Sequence, residues 1–594
     1  MKHVVLISII ALVMPCMAFA KDNAMEIPVE VSQWIDGELA KAKRKTLMDF
    51  EAGEFFESDT ARLIGYIKGY DRNAGFSTGM IYVKNEITKE DFPTVIQIDE
   101  DGRFEGVFPM NYPKYLYVDF NNMLIFFYIQ PGQTLAMLLD WEDFSVENRL
   151  RNIRFQGVTA DINNELSAFQ AQLSDFPYRK IYEEMEGKNS NEFKSAYNEC
   201  LSEYTEIFQR LLTTEKLSET SKAILRNNFQ INYVSYLLDY EMYYAIEPGR
   251  LPLEFYDFLQ DIPMDNKELL STSEFSWFIN RLEYCHPISF PQNYIKATTD
   301  TTTSQKSDYR SLLEKLNIPK TPEDEALLLL IDSINAKIFS QDMIVDITMT
   351  LKFVEEYNKA CEQFEQRYRE NEAYKKLKEE IKIKEWGQQD SIYTNELKCK
   401  QGVIYDLIKI RYLKSLTSKE EAWHLLNARI SNVSEPFLRK EADRIFQKKF
   451  PEKERVAYEL LDSYEAKIFK ELIAPFKGRV VLVDFWATFC TPCVANIKNH
   501  KALREKYKDS PDVAFVFITS ENESSSLEHY NKFVEEQGLT NSYRINADQY
   551  RYLRQLFRFN GIPRYILVDR EGRILNDNLW FPSYETELIK AIEM

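Results

Sequence analysis

Hydrophobic positions along the chain change their period twice, and the changes divide it into three regions. From about Lys45 to Asp143, short apolar, aromatic and β-branched runs are separated by turn residues. The runs are Arg62–Tyr70, Gly79–Lys84, Thr94–Ile98, Phe104–Phe108, Tyr115–Phe120, Leu124–Ile129 and Thr134–Leu139. Asp99-Glu100-Asp101-Gly102 reads as a tight hairpin connection and Gln130-Pro131-Gly132-Gln133 as a second turn. Strands of this length and spacing predict a β-sandwich of about 100 residues. Its many Tyr and Phe read as core and edge packing rather than as a ligand platform.

From about Thr159 to Ile473 the period becomes helical. Leu225, Phe229, Tyr233, Tyr236, Tyr240 and Tyr244 recur at steps of three and four, and Pro248-Gly249 stops that helix. Thr321-Pro322-Glu323-Asp324 opens another, with Thr as N-cap, Pro at the first helical position and acids where the macrodipole favours them. The Thr/Ser run Thr298–Ser304 reads as a loop dividing the region. The charged stretch Glu355–Glu385 reads as the solvated face of one long helix.

From about Ala474 to Met594 strands and helices alternate. Val480–Trp486 is an apolar run broken only by Asp484, as in a buried strand. A helix over Pro492–Tyr507, a strand over Val513–Thr519, a helix over Leu527–Gln537 and a short strand over Tyr543–Asn546 are expected next. A helix over Gln549–Phe559, a hairpin pairing Tyr565–Asp569 with Arg573–Leu575, and a last helix near Glu585–Glu593 complete an α/β domain.

The first twenty residues alter the picture of where the chain works. Lys2, the apolar run Val4–Met14, Pro15 and Ala18-Phe19-Ala20 have the layout of a secretory signal peptide cleaved before Lys21. The run is short for the ~20 residues of a membrane span. Acylation on Cys16 is the alternative, and Met14-Pro15 fits it poorly. The expected organisation is a signal peptide at 1–20, a segment at 21–44, a β-sandwich at 45–145, a helical region at 146–466 and an α/β domain at 467–594. Periplasm or cell envelope is the expected location. With 93 acids against 74 bases and a net charge of −19, the chain repels phosphate backbones, which argues against nucleic-acid partners.

The strongest chemical signal is Cys490-Thr491-Pro492-Cys493, where a buried strand passes into a helix. A thiol there faces orphan backbone N–H groups and the positive end of the macrodipole, which stabilise a thiolate. A zinc site needs further Cys or His ligands, and this domain offers only His500 and His529, so no metal is expected. Asp484, a lone carboxylate on an apolar strand, should have a raised pKa and accept a proton near neutrality. The remaining Cys200, Cys285, Cys361 and Cys399 are irregularly spaced and read as isolated buried thiols.

Val480-Val481-Leu482-Val483-Asp484-Phe485-Trp486-Ala487-Thr488-Phe489-Cys490-Thr491-Pro492-Cys493 resembles the core motif of the thioredoxin superfamily. Gly561-Ile562-Pro563 and the following residues to Gly572 resemble its second motif, and Glu521–Asn546 is similar to the insertion of the TlpA/ResA-like exported thiol–disulfide oxidoreductases. The resemblance covers roughly the last 120 residues and implies a thioredoxin-like fold there. It implies that Cys490 is the nucleophile, Cys493 the resolving thiol and Asp484 the acid assisting it. It also places Trp486, Ile562 and a cis Pro563 at the substrate side, with Thr491 and Pro492 tuning the redox potential. Phe489 stands where Trp is frequent, so the potential does not carry over. The implied activity is reduction of protein disulfides by the dithiol, with protein clients, a membrane thiol electron donor and no cofactor beyond the Cys490–Cys493 pair. A thiol peroxidase would need a hydroxyl three residues before Cys490, where Ala487 stands. An envelope binding or scaffold protein with an accessory redox domain is the reading from a different class, because about 450 residues lie outside that domain.

Overall fold

The computed structural model describes residues 25–593, apart from 75, 146–152, 174, 246–250, 292–293, 295–307, 339–346, 417, 452–455, 524–525 and 580–583. The expected signal peptide, Cys16, the Pro248-Gly249 stop and the Thr/Ser run lie outside the described residues.

Eight strands form the N-terminal sheet: β1 (Asp59–Lys68), β2 (Thr78–Asn85), β3 (Glu90–Ile98), β4 (Arg103–Met110), β5 (Lys114–Phe120), β6 (Met123–Ile129), β7 (Thr134–Asp140) and β8 (Arg154–Gly157). They are ordered β6-β5-β2-β3-β4-β1-β7-β8, and β1 and β7 run parallel. One apolar core takes side chains from all eight strands. The sandwich is thus one sheet curled onto itself, with Phe104 of β4 meeting Phe120 of β5, centroids 5.2 Å apart, across the core. Both expected turns are present, with Gly102 and Gly132 at positive φ where a side chain would be strained. The unit is wider than its sequence pattern suggested. β8 lies beyond residue 145, and a helix at Val29–Ala40 buries Val31 and Ile35 on the outer face of β1 and β7.

The middle region is helical around a core that also takes in Phe55, Ile87 and Tyr112 of the sheet unit. The helix expected around Leu225–Tyr244 spans Glu219–Tyr243. Thr321 caps the helix Pro322–Ile338, its hydroxyl accepting from Asp324 N–H at 3.2 Å. The expected single helix over Glu355–Glu385 is two, Ile347–Tyr368 and Glu372–Ser391. Asn371 breaks it by capping Tyr374 N–H at 3.0 Å, and Phe364 and Tyr374 turn inward despite the surrounding charge.

The C-terminal sheet has strands β9 (Val480–Phe485), β10 (Val513–Ser520), β11 (Ser542–Ile545), β12 (Arg564–Val568) and β13 (Ile574–Leu579), ordered β11-β10-β9-β12-β13. β9, β10 and β11 are parallel, and β12 runs antiparallel to β9 and β13. With β9 central and both faces covered, its near-continuous apolar sequence follows. Helices Thr491–Asn499, Leu527–Gln537 and Tyr584–Glu593 cover one face; Tyr464–Ile473 and Ala547–Phe557 cover the other. The helix expected over Pro492–Tyr507 is interrupted at His500, so that Lys501–Lys506 forms a separate short helix.

Candidate active site

Alternation along β9 decides which side chains meet. Leu482 and Trp486 belong to the core on the helix side of the active-site segment, whereas Val481, Val483 and Phe485 face the opposite core. Asp484 therefore points to the same side as the cysteines. The chain leaves β9 and enters the helix Thr491–Asn499 with Cys490 at its N-cap and Pro492 in its first turn. The Cys490 sulfur accepts the Cys493 N–H at 3.3 Å, taking the place a capping oxygen would fill.

Cys490 and Cys493 are joined by a disulfide, with Cα atoms 5.3 Å apart. Cys490 keeps 8% exposure and Cys493 none, so Cys490 is the sulfur that solvent reaches. Phe489 beside it is 65% exposed, and Thr491 and Pro492 lie on the surface. Across from the pair, the Ile562–Pro563 bond is cis, and the Ile562 carbonyl oxygen is 3.7 Å from Cys490 Sγ. The two sequence motifs, some seventy residues apart, thus meet at one sulfur. Arg554 holds the loop between them by donating to the carbonyls of Phe559 and Asn560.

On the cysteine side of β9 Asp484 is buried, and one of its carboxylate oxygens, Oδ1, has no hydrogen-bond partner. Burial pushes its pKa up to about 8, against a partial offset from the Arg504 guanidinium. Arg504 is itself buried, donating to the carbonyls of Ile497 at 2.6 Å and Gln537 at 3.1 Å. Asn496 donates to Tyr565 Oη at 2.9 Å in the same layer. Sequence reading did not single out Arg504, although a signal exists: it falls eleven residues after Cys493, on the helical stripe that includes Ile497. A carboxyl poised to take or give a proton near neutrality thus shares the face of β9 that carries a strand–helix disulfide, whose one accessible sulfur faces a backbone carbonyl.

Trp486, expected at the substrate side, lies inside the domain. It is fully buried, with its ring against Tyr530 at 5.9 Å and Phe533 at 5.2 Å. The helix Leu527–Gln537, within the segment that follows β10, roofs it over. Phe489 is the aromatic side chain on the surface. Cys200, Cys285, Cys361 and Cys399 are free thiols, Cys285 and Cys399 being buried.

Residues 461–583 match the family model described as Redoxin. The chain is also similar to the solution structure of "a putative thiol-disulfide oxidoreductase from Bacteroides vulgatus", with 31% identity over 20% of this chain and 76% of that one, and a TM-score of 0.18. The thioredoxin domain of a thiol-disulfide oxidoreductase from Bacteroides vulgatus is 26% identical over 20% and 84%, with a TM-score of 0.18. A thiol:disulfide interchange protein from a Bacteroides species is 25% identical over 20% and 77%, again with a TM-score of 0.18. No curated protein matches the chain. With the redoxin match laid over the β9–helix cysteine pair, the chain belongs, through its C-terminal domain, to the thioredoxin superfamily of thiol–disulfide oxidoreductases.

Proposed function

We propose that the protein is an exported enzyme whose Cys490–Cys493 dithiol reduces disulfides in protein clients. The observation that carries this is the placement of Cys490 at a helix N-cap against the Ile562 carbonyl, in a domain with a buried carboxyl on the same side of β9. In the reduced enzyme the Cys490 thiolate attacks one sulfur of the client disulfide. A Cys490–client S–S bond forms and the other client sulfur leaves as a thiolate. Asp484, carrying a raised pKa, takes the proton of Cys493. The Cys493 thiolate then attacks Cys490 Sγ, the intramolecular disulfide closes, and the second client thiolate departs. Two electrons pass from enzyme to client, and a thiol carrier in the membrane restores the dithiol. The Ile562 backbone offers strand-like pairing to the client chain.

Export rests on Lys2, the apolar Val4–Met14 run and Ala18-Phe19-Ala20. Among the described residues no helix is long and apolar enough to cross a membrane.

Cys493→Ser should accumulate mixed disulfides on Cys490, because attack is retained and resolution is lost. Non-reducing gels and mass spectrometry of the trapped adducts read this out. Trapping by Cys490→Ser instead would reverse the assigned roles, and trapping by neither would remove the dithiol mechanism.

A further inference from the structure

The redox domain is bolted to the N-terminal sheet through one helix. Ala547–Phe557 lies along β2 and β3, and its Asp548 accepts from Ser77 Oγ at 2.8 Å and Thr78 Oγ1 at 2.6 Å. The register between β3 and β4 covers Gln97 and Ile98, and Gln555 Oε1 takes up the Val95 N–H further along β3, at 2.7 Å. These contacts fix the helix. The next ones reach the active site.

Arg554 faces both ways. It grips the Phe559 and Asn560 carbonyls, and it also donates to Tyr82 Oη at 3.4 Å while its guanidinium lies 5.3 Å from that ring's centroid. Asn560, two residues before Ile562, donates from Nδ2 to Asp91 Oδ1 at 3.1 Å. Asp91 is the second residue of β3 in the N-terminal unit, 469 residues away in the chain. The Asn560 side chain is held in that orientation from outside its own domain. Its bond to a largely buried carboxylate is of the stronger, charge-assisted kind.

We propose that Asp91 is a positioning residue for client binding: through Asn560 it fixes the loop that presents the Ile562 backbone to an extended polypeptide disulfide. The inference rests on the disulfide-reductase reading and adds that the N-terminal sheet takes part in it. A peptide pairing with Ile562 depends on where that loop lies, and displacements near 1 Å are costly for docking. A small disulfide reaches Cys490 with far less need of the loop.

The test reverses the polarity of the bond in the full-length protein. Asn560→Asp sets two carboxylates face to face, and Asp91→Asn/Asn560→Asp restores one donor and one acceptor. Each variant is assayed on insulin as polypeptide disulfide and on hydroxyethyl disulfide, with the Cys490–Cys493 reduction potential measured alongside. Asn560→Asp should lower kcat/KM on insulin about tenfold, mainly through KM, while the loss on hydroxyethyl disulfide stays within about threefold. The potential should not move, and the double variant should recover insulin turnover to within about threefold of wild type. Asp91→Ala removes the acceptor without adding charge, carries the same expectation, and decides the matter if Asn560→Asp does not fold. Insulin turnover within about twofold of wild type would overturn the proposal. So would equal losses on both disulfides, or a double variant no better than Asn560→Asp. A wild-type enzyme that reduces neither disulfide overturns the reductase reading itself, an outcome distinct from all of these.

Discussion

Asp484 is the residue on which chemistry and stability pull in opposite directions. Its ordinary pKa near 3.8 is raised to about 8 by burial, so the folded protein holds a proton that the unfolded chain releases. Below about pH 4 both states are protonated and nothing is lost. As pH rises towards 8 the unfolded state gains relative stability, and above 8 the penalty levels off. Asp484→Asn should remove this dependence. The variant should exceed wild type by more than about 1 kcal/mol at pH 8 and match it near pH 4. Denaturant titrations at both pH values check the sign. In stopped-flow exchange the resolving step of the variant should slow most near neutrality, because its amide cannot take the Cys493 proton. Superimposable pH profiles would leave Asp484 a structural residue. That a carboxyl stood alone in Val480–Trp486 was legible from the pattern. Arg504 was not singled out, because its one mark, the stripe shared with Ile497, looks like that of any solvated arginine in a charged helix.

Elements were legible where their period is local. The runs from Arg62 to Leu139 all became strands because alternation on a half-buried sheet leaves a mark over five or six residues. β8 left too short a mark to see, four residues with one fully inward side chain, Phe155. The helix Leu527–Gln537 shows how an element acquires a purpose only in packing. Its own pattern is an ordinary amphipathic one, yet Tyr530 and Phe533 seal Trp486 from solvent. Phe533→Ala should leave a cavity against Trp486 and cost the C-terminal domain about 3 kcal/mol. Chemical denaturation of the full-length variant measures it. A cost below about 1 kcal/mol would mean that this helix is not what holds the tryptophan in place.

At the scale of the molecule, the sheet unit meets the helical region at a buried ion pair of the latter. Arg411 donates to both carboxylate oxygens of Glu283, at 2.6 and 3.1 Å, and to the Glu86 carbonyl, while Lys89 reaches Glu283 at 2.7 Å. Both Arg411 and Glu283 side chains are almost wholly buried. Arg411→Ala strands the Glu283 carboxylate with one lysine in an apolar setting, and the expected loss is about 3–5 kcal/mol. Calorimetry of the whole chain should show it as a lower first transition for the sheet and helical regions. A melting profile unchanged from wild type would show that the two regions do not depend on this contact.

The amino-acid sequence by itself determined the two changes of period, the strand–helix setting of Cys490 and Cys493, and the carboxyl on β9. All of these depend on neighbours within a few turns or one strand, where spacing alone dictates which face a residue takes. Only the tertiary structure decided that Trp486 is roofed, that Arg504 offsets Asp484, and that Asp91 reaches Asn560 across 469 residues. Those pairings join side chains whose local patterns are unremarkable, and they exist because packed faces bring distant segments together in a way no single period records.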